Sequence, residues 1–400
     1  MFNYFIFSLE MLIFFTLISI ISIISVNSFP WNEKILAIPY KISSDKQYII
    51  DIDLGTPSKT FNFTVDISYP FTWICFQKSK LSHSTSARYK SSEKLTLYNH
   101  FYKTSKYSEY MKIKEQLISV RSFYINILNV GETEMPDSIG IGYELKNDKT
   151  FWLSYLYRNY YISGLNFGFV SDRRKKGGMM YIGGLSKKTI EEQYLVYKGY
   201  VYVSKKAKTW GTKLAGINIS LGGKSKSFDI NKYAYFITND KAIYVDNFYF
   251  DSIYDIINEQ YICHYDMTVT DTNRLICNCK MVAFHDALDF QFVIGSYKFT
   301  FDQYELFEIG DQNQCYFLIE GLNKNKFHKG EGVWMFGTTF INKYPTFFDF
   351  KRGMISFYSR HTSKKDLLFS WTYTVLLINM ILVIVISVYL IVLKVFYIKQ

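Results

Sequence analysis

Asp66 is the acid best placed to do chemistry. It closes Phe61-Asn62-Phe63-Thr64-Val65, a run that alternates with period two and reads as a strand, so its carboxyl stands at a strand end. There it can act as a base on water or accept backbone N–H groups. General acid–base work needs a partner group within hydrogen-bond reach. The other reactive residue types offer no rival set. The 6 histidines show no His-Glu-x-x-His spacing, and no Gly-x-Ser-x-Gly elbow occurs. There is no phosphate loop and no basic–aromatic pattern specific to nucleic acid. The 5 cysteines are Cys75, Cys263, Cys277, Cys279 and Cys315. The last four cluster, and two bridges among them are the simplest reading in an oxidising compartment. A zinc site that includes Cys277-Asn278-Cys279 is the alternative, but the paired Cys-x-x-Cys hooks of zinc ribbons are missing. Cys75 is left over, with no base to activate it. The sequence implies no metal, no cofactor and no nucleic-acid partner.

Strands must position Asp66. The chain has 400 residues, enough for two domains, and is 48% hydrophobic and 19% aromatic, with 35 Tyr and 35 Phe. Aromatic and β-branched residues fit a pleated, half-buried surface. Tyr48 to Asp53 reads as a strand, Gly55-Thr56-Pro57-Ser58 as a turn, and Phe61 to Val65 as the returning strand. Lys78 to Lys114 is polar and must contain long loops. Gly177 to Gly184 is a short strand between glycine turns. Tyr200–Val203, Tyr233–Thr238, Phe290–Phe301 and Gly332–Phe340 are further strand candidates. Tyr155–Tyr160 and Ser252–Gln260 read as helices. The net charge is +11, but lysine is spread along the chain. The one tight cluster, Arg173 to Lys176, precedes Gly177-Gly178 and reads as a solvated hairpin tip.

Two apolar runs set the compartment. Met11 to Val26 is uncharged and ends near small residues, as a signal-peptide core does, so residues 1–28 read as a signal peptide. Glu10 and the missing basic leader leave an uncleaved signal anchor as the alternative. Leu367 to Leu393 carries no charge over 27 residues and is long enough to span a bilayer with tilt. A cleaved signal with one C-terminal span gives a type I membrane protein of the secretory pathway, at the cell surface or in an endolysosomal-type organelle. Residues 29–365 are then lumenal and 394–400 form a cytosolic tail. Asn62-Phe63-Thr64 and Asn218-Ile219-Ser220 are glycosylation acceptors. Asn62 sits in a strand-like run that disfavours a sugar, so Asn218 is the acceptor expected to carry one.

The order of these segments resembles the pepsin-like aspartic protease family. Tyr48 to Pro57, with its Leu54-Gly55-Thr56-Pro57 turn, is similar to the family's first hairpin. Asp66 is followed seven residues later by Trp73-Ile74, the family spacing. Pro136 to Tyr143 and Gly332 to Phe340 are similar to the two apolar-apolar-Gly segments behind the catalytic loops. Gly177 to Gly184 with Tyr194, Lys213 to Gly223, and Phe347-Phe348-Asp349 with Ile355-Ser356-Phe357 complete the series over roughly residues 45–360. The resemblance implies an all-β, bilobal fold with an active-site cleft between lobes. The expected organisation is a short leader at 29–44, an N-terminal lobe at 45–200 and a C-terminal lobe at 201–362. It also implies two Asp-Thr/Ser-Gly loops whose carboxylates share one proton and one water.

The chain departs from that machinery. The first loop reads Asp66-Ile67-Ser68-Tyr69. In the second, Tyr235 to Ala242 takes the place of the second catalytic pattern. An alignment without a gap puts Thr238 where the second Asp belongs, followed by Asn239 and Asp240. A two-residue slip makes Asp240 the second acid. Tyr102 is the candidate flap tyrosine, and Ile67, Ser68 and Asn239 are candidate cleft contacts. The family resemblance implies that Cys315 pairs with Cys277 or Cys279, and Cys263 with the one left over, while Cys75 is buried beside Trp73. The expected function is a membrane-anchored, monomeric homologue that binds peptide or protein in the cleft and is catalytically impaired or inactive. Two alternatives stand beside it: an active, divergent endopeptidase using Asp66 with Asp240, and a structural surface or organelle protein.

Overall fold

Alternation of apolar and polar residues builds the molecule. In Tyr48–Leu54 every second side chain, Tyr48, Ile50, Ile52 and Leu54, is buried, and the residues between are half-exposed. The computed structural model describes residues 34–43, 47–75, 84–97, 100–113, 118–128, 136–143, 151–172, 177–204, 209–269, 272–284, 288–322, 334–360 and 385. The apolar run at Met11–Val26, the run at Leu367–Leu393 apart from Val385, and the Arg173–Lys176 cluster lie outside the described residues. Among the described residues no helix is long and apolar enough to cross a membrane.

The first half runs β1 (Leu36–Ile42), β2 (Tyr48–Leu54), β3 (Lys59–Asp66), β4 (Trp73–Cys75), β5 (Arg88–Leu97), β6 (His100–Ile113), β7 (Ile118–Leu128), β8 (Ser138–Gly140), α1 (Trp152–Arg158), β9 (Asn166–Asp172), β10 (Gly177–Ile182), α2 (Lys187–Glu192) and β11 (Leu195–Tyr202). The second half runs β12 (Gly211–Leu221), β13 (Lys224–Phe236), β14 (Ile243–Asp246), α3 (Asn247–Tyr261), β15 (Cys263–Tyr265), β16 (Thr272–Asn273), β17 (Leu275–Asn278), α4 (Cys279–Phe284), β18 (Asp289–Ile294), β19 (Tyr297–Phe301), α5 (Gln303–Leu306), β20 (Phe307–Ile309), β21 (Gln314–Phe317), β22 (Ile319–Leu322), β23 (Trp334–Phe336), α6 (Thr338–Lys343), β24 (Thr346–Asp349) and β25 (Met354–Arg360). Residues from Ile35 onward belong to one unit.

Three sheets result. One has strand order β11-β25-β24-β9-β10-β1-β2-β3-β8-β4-β7-β6-β5, the second β16-β22-β14-β23-β13-β12-β18-β19, and the third β15-β17-β21-β20. Two sequence expectations change here. Residues 36–42 are no leader: Leu36, Ile38 and Tyr40 alternate inward, and the strand pairs with β10. The last strands, β24 and β25, leave the second half and pair with β9 and β11 of the first. Among the described residues of Gly332–Phe340, Trp334–Phe336 is a strand and α6 follows it. The expected helices are present as α1 and α3, with α3 longer than expected. Its start is capped by the Asp246 carboxylate, which accepts the Phe248 N–H at 3.1 Å.

Aromatic rings join the halves. Phe348 of β24 stacks on Phe167 of β9 at 5.0 Å, meets Trp210 at 5.0 Å, and touches Phe236 of β13 at 5.9 Å. Ring pairs at such spacing add about 0.5–1.5 kcal/mol each beyond area burial. Two disulfides staple the third sheet, Cys263–Cys277 and Cys279–Cys315. That resolves the open choice in favour of Cys279 for Cys315. Cys75 stands outside both bridges and is buried. The two Asn-x-Ser/Thr motifs differ in exposure. Asn62 is exposed on β3, whereas Asn218 is half-buried within β12 and donates its amide to Gln291 at 2.9 Å.

One acid lies inside the second sheet. Glu320 of β22 is 6% exposed and paired in register with Tyr244 of β14. Burial pushes its carboxyl above the ordinary value of 4.5; the Thr272 hydroxyl, donating at 2.7 Å, pulls it back, while the Asp240 charge raises it further and the Arg274 and Lys241 charges offset that. The folded state therefore holds a proton that the unfolded chain releases. This stability is full below the ordinary Glu value and is lost as pH rises through the folded value. Glu320→Gln keeps an acceptor for Thr272 and removes that slope. Thermal unfolding should show the variant melting about 2–4 °C above wild type at pH 7 and level with it at pH 4.

Candidate functional site

Each half of the molecule brings a loop to the same place by the same local device. In the first, β3 runs parallel to β8 with Val65 opposite Ile139 and Asp66 opposite Gly140. The Ile141 N–H donates to the Asp66 carbonyl at 2.8 Å. Gly140 is required there, because a Cβ would lie 2.2 Å from the Phe71 carbonyl oxygen. In the second, β13 runs parallel to β23 with Phe236 opposite Phe336, and the Ile237 N–H donates to the Phe336 carbonyl at 3.0 Å. Gly337 follows, and a Cβ there would lie 2.2 Å from the Ala242 carbonyl oxygen.

Asp66 is fully buried, and its Oδ1 accepts the Ser68 N–H at 2.7 Å. Ile67 beside it is also fully buried. Thr238 crosses from the other half. Its hydroxyl donates to the Val65 carbonyl at 2.6 Å and accepts the Ile67 N–H at 3.3 Å. The sequence-based candidates Asp66, Ile67, Ser68 and Thr238 are thus brought together. Thr238 uses its hydroxyl on the backbone either side of Asp66.

Further bonds tie the two loops. Thr209 donates its hydroxyl to the Ile67 carbonyl at 3.1 Å, and Gln47 donates its amide to the Asn239 carbonyl at 3.1 Å. The Trp210 indole donates to the Ile141 carbonyl at 3.0 Å and the Trp152 indole to the Gly140 carbonyl at 3.3 Å. Sequence reading missed Thr209, Gln47, Trp210 and Ile237. No local pattern marks them, because the chain meets the loops there only after folding.

Asp240 sits apart in role. Its Oδ1 accepts the Ala242 N–H at 3.0 Å, its Oδ2 accepts the Tyr244 hydroxyl, and its carbonyl accepts the Thr338 N–H at 2.9 Å. Burial, then the charges of Asp240 and Glu320, push Tyr244 far above its ordinary value, so it stays a donor to Asp240. Tyr102 stands on the return strand of the β5–β6 hairpin. The hairpin closes at Leu97 opposite His100, and Tyr102 pairs with Leu95, so its backbone is not at the tip. Its side chain lies outside the described residues. Among the described residues no group of three or more His, Cys, Asp or Glu is arranged to hold a metal.

Two strand–loop–strand–glycine units facing each other across a buried threonine bond are the frame of a two-lobed acid protease. A family model of the eukaryotic aspartyl proteases matches residues 47–359. The chain belongs to the eukaryotic aspartyl protease family. Its fold is similar to the crystal structure of an aspartic proteinase from Irpex lacteus, with a TM-score of 0.64 and 15% identity over 82% of this chain and 99% of that one. No curated protein sequence matches the chain. The mostly-β architecture expected from the resemblance is present, and the protease fold implies that peptide lies in the cleft between lobes.

The Thr238 hydroxyl is a testable joint of this aspartyl protease fold. Thr238→Val removes one donor and one acceptor from a buried site and leaves the Val65 carbonyl and the Ile67 N–H without it. An unsatisfied buried polar group costs about 1–3 kcal/mol. Urea unfolding should place Thr238→Val roughly 2–4 kcal/mol below wild type. Thr238→Ser, which keeps the hydroxyl, should lose about 1 kcal/mol or less.

Proposed function

We propose that this chain is a membrane-anchored aspartyl protease homologue that binds extended peptide in its cleft and does not cleave it. The carrying observation is the match between the two loops. Gly140 closes on Phe71, five residues after Asp66, and Gly337 closes on Ala242, five residues after Ile237. On that count the partner of Asp66 is Ile237, one position before the residue a gap-free alignment selects. Thr238 is then the lobe-joining threonine, and its bonds to Val65 and Ile67 fit that role. Ile237 is 7% exposed and packs with Ala242, Tyr244, Leu322 and Met335. An aliphatic side chain there cannot share a proton with Asp66 or hold a water between two carboxylates.

The acid mechanism depends on that shared proton. Two close carboxylates cannot both ionise, so one serves as acid and the other as base. With Ile237 opposite Asp66 there is no such division. A divergent enzyme using Asp240 would need that carboxylate free, and both its oxygens accept bonds within its own loop. Peptide binding survives loss of chemistry, because a cleft lined by strand edges pairs with the backbone of an extended ligand.

Leu367 to Leu393 supplies the anchor and Met11 to Val26 the targeting segment, which places the cleft in the secretory lumen or outside the cell. Asn62, the acceptor with the exposed side chain, is the glycan site in that compartment. The purified full chain should leave unfolded protein uncut at acid pH. Ile237→Asp should strengthen binding of a hydroxyl-bearing transition-state-mimicking peptide at acid pH by about tenfold, or roughly 1.4 kcal/mol. Thr238→Asp should not, since it breaks the joint between lobes. Acid-dependent cleavage by wild type, abolished by Asp66→Ala, would overturn the reading.

A further inference from the structure

Tyrosine collects on one edge of the largest sheet. Among the described residues β11 is the first strand of that sheet, paired on one side only, to β25. Tyr197, Tyr200 and Tyr202 of β11 are 53%, 41% and 63% exposed, far more than packing against a core would leave. Regular alternation would send Tyr197 to the opposite face from the other two. A register shift between Tyr197 and Gly199 inserts one residue and turns all three to the same side. Gly199 and Val201, which face the other way, are buried.

Other rings extend this face. Tyr358 of β25 lies directly opposite Tyr197, with ring centroids 5.5 Å apart. Tyr200 and Tyr202 meet at 5.5 Å. Gly199 has φ +151°, and a Cβ there would lie 2.2 Å from the Tyr297 ring, so the glycine at the bulge seats that tyrosine on the buried side of the strand. A hollow of about 380 Å³ opens beside them, lined by Tyr200, Tyr202, Lys213 and Tyr297 among others. Scattered exposed aromatics need no explanation, but three on one face of a single edge strand do.

The end of β25 says what covers them. Arg360, its last residue, pairs with Leu195, two residues from Tyr197. Only residues 361–366 separate it from the apolar run that starts at Leu367. An extended chain covers at most about 3.3–3.6 Å per residue, so the end of β25 lies within roughly 25 Å of the hydrocarbon layer. The headgroup zone takes up about 6 Å of that distance. Tyrosine is enriched at this boundary, because its ring is apolar and its hydroxyl is hydrated.

We infer that the tyrosine face formed by Tyr197, Tyr200, Tyr202 and Tyr358 rests on the headgroup layer of the bilayer that holds the chain. This inference rests on the reading of Leu367 to Leu393 as a membrane span. The cleft is then held at a fixed orientation to the membrane and does not swing on its tether.

The test uses the full chain in phosphatidylcholine vesicles. Tyr197→Cys, Tyr202→Cys and, as a control, Met267→Cys are each labelled with a fluorophore. Met267 is 87% exposed and lies in the other half of the chain. Wild type, whose Cys75 is buried, gives the labelling background. Lipid carrying a headgroup quencher should reduce emission at positions 197 and 202 at least threefold more than at 267, at one protein copy per vesicle or fewer. Equal quenching at all three positions in a chain that resists carbonate extraction would overturn this inference and leave the anchor standing. Release of the chain by carbonate would overturn both. Cross-linking between copies through position 197, or quenching that requires several copies per vesicle, would assign the face to a second copy of the chain and overturn the inference.

Discussion

The bond network of one buried hydroxyl sets the geometry on which the rest depends. Thr238 donates to the Val65 carbonyl and accepts from the Ile67 N–H, so it holds the backbone on both sides of Asp66 from the opposite lobe. Val65, Ile67 and Thr238 are all fully buried, so water cannot replace these bonds. Outward from this joint, Trp210 and Trp152 donate to the two carbonyls of the strand behind Asp66. The aromatic column of Phe167, Trp210, Phe348 and Phe236 then carries the constraint into both halves. Ile67 has no hydroxyl to return the bond, and Thr209, which donates to the Ile67 carbonyl, adds to the joint from the same side.

Under the proposed function, that asymmetry lets the cleft keep its shape without its chemistry. In a paired-acid site the carboxylates and the lobe-joining hydroxyls need each other. Here the joint is kept on one side, and Ile237, which the proposed register puts in the second acid's place, sits in an apolar cluster. Asp240, the nearest acid in sequence, is bound into its own turn with Tyr244. Binding and catalysis thus separate: the first needs a stable cleft, the second a pair of titrating groups.

Much of this was legible in the sequence because strand periodicity and glycine placement are local. The hairpin to Asp66 and the disulfide cluster follow from patterns a few residues wide, and the two apolar-apolar-Gly segments from the family resemblance. The one-residue register of the second loop did not. Phe236, Ile237 and Thr238 all fit an apolar strand end, and the proposed choice of Ile237 rests on the pairing of Phe236 with Phe336 and on Gly337 against Ala242. The first strand was hidden for a similar reason. Leu36–Ile42 is short and contains Pro39, and its partner β10 lies far along the chain. The return of β24 and β25 to the first sheet is set by long-range pairing that no local signal announces.

The carboxyl titration of Asp66 tests the central claim most directly. In the full chain with carbon-13-labelled aspartate, the Asp66 carboxyl signal followed by NMR should move through a single step. Asp240→Asn should leave that curve in place, since Asp240 belongs to another network. A two-step titration of Asp66, collapsing to one step in Asp240→Asn, would reveal a coupled acid pair. That result would contradict the account and return the chain to the active proteases.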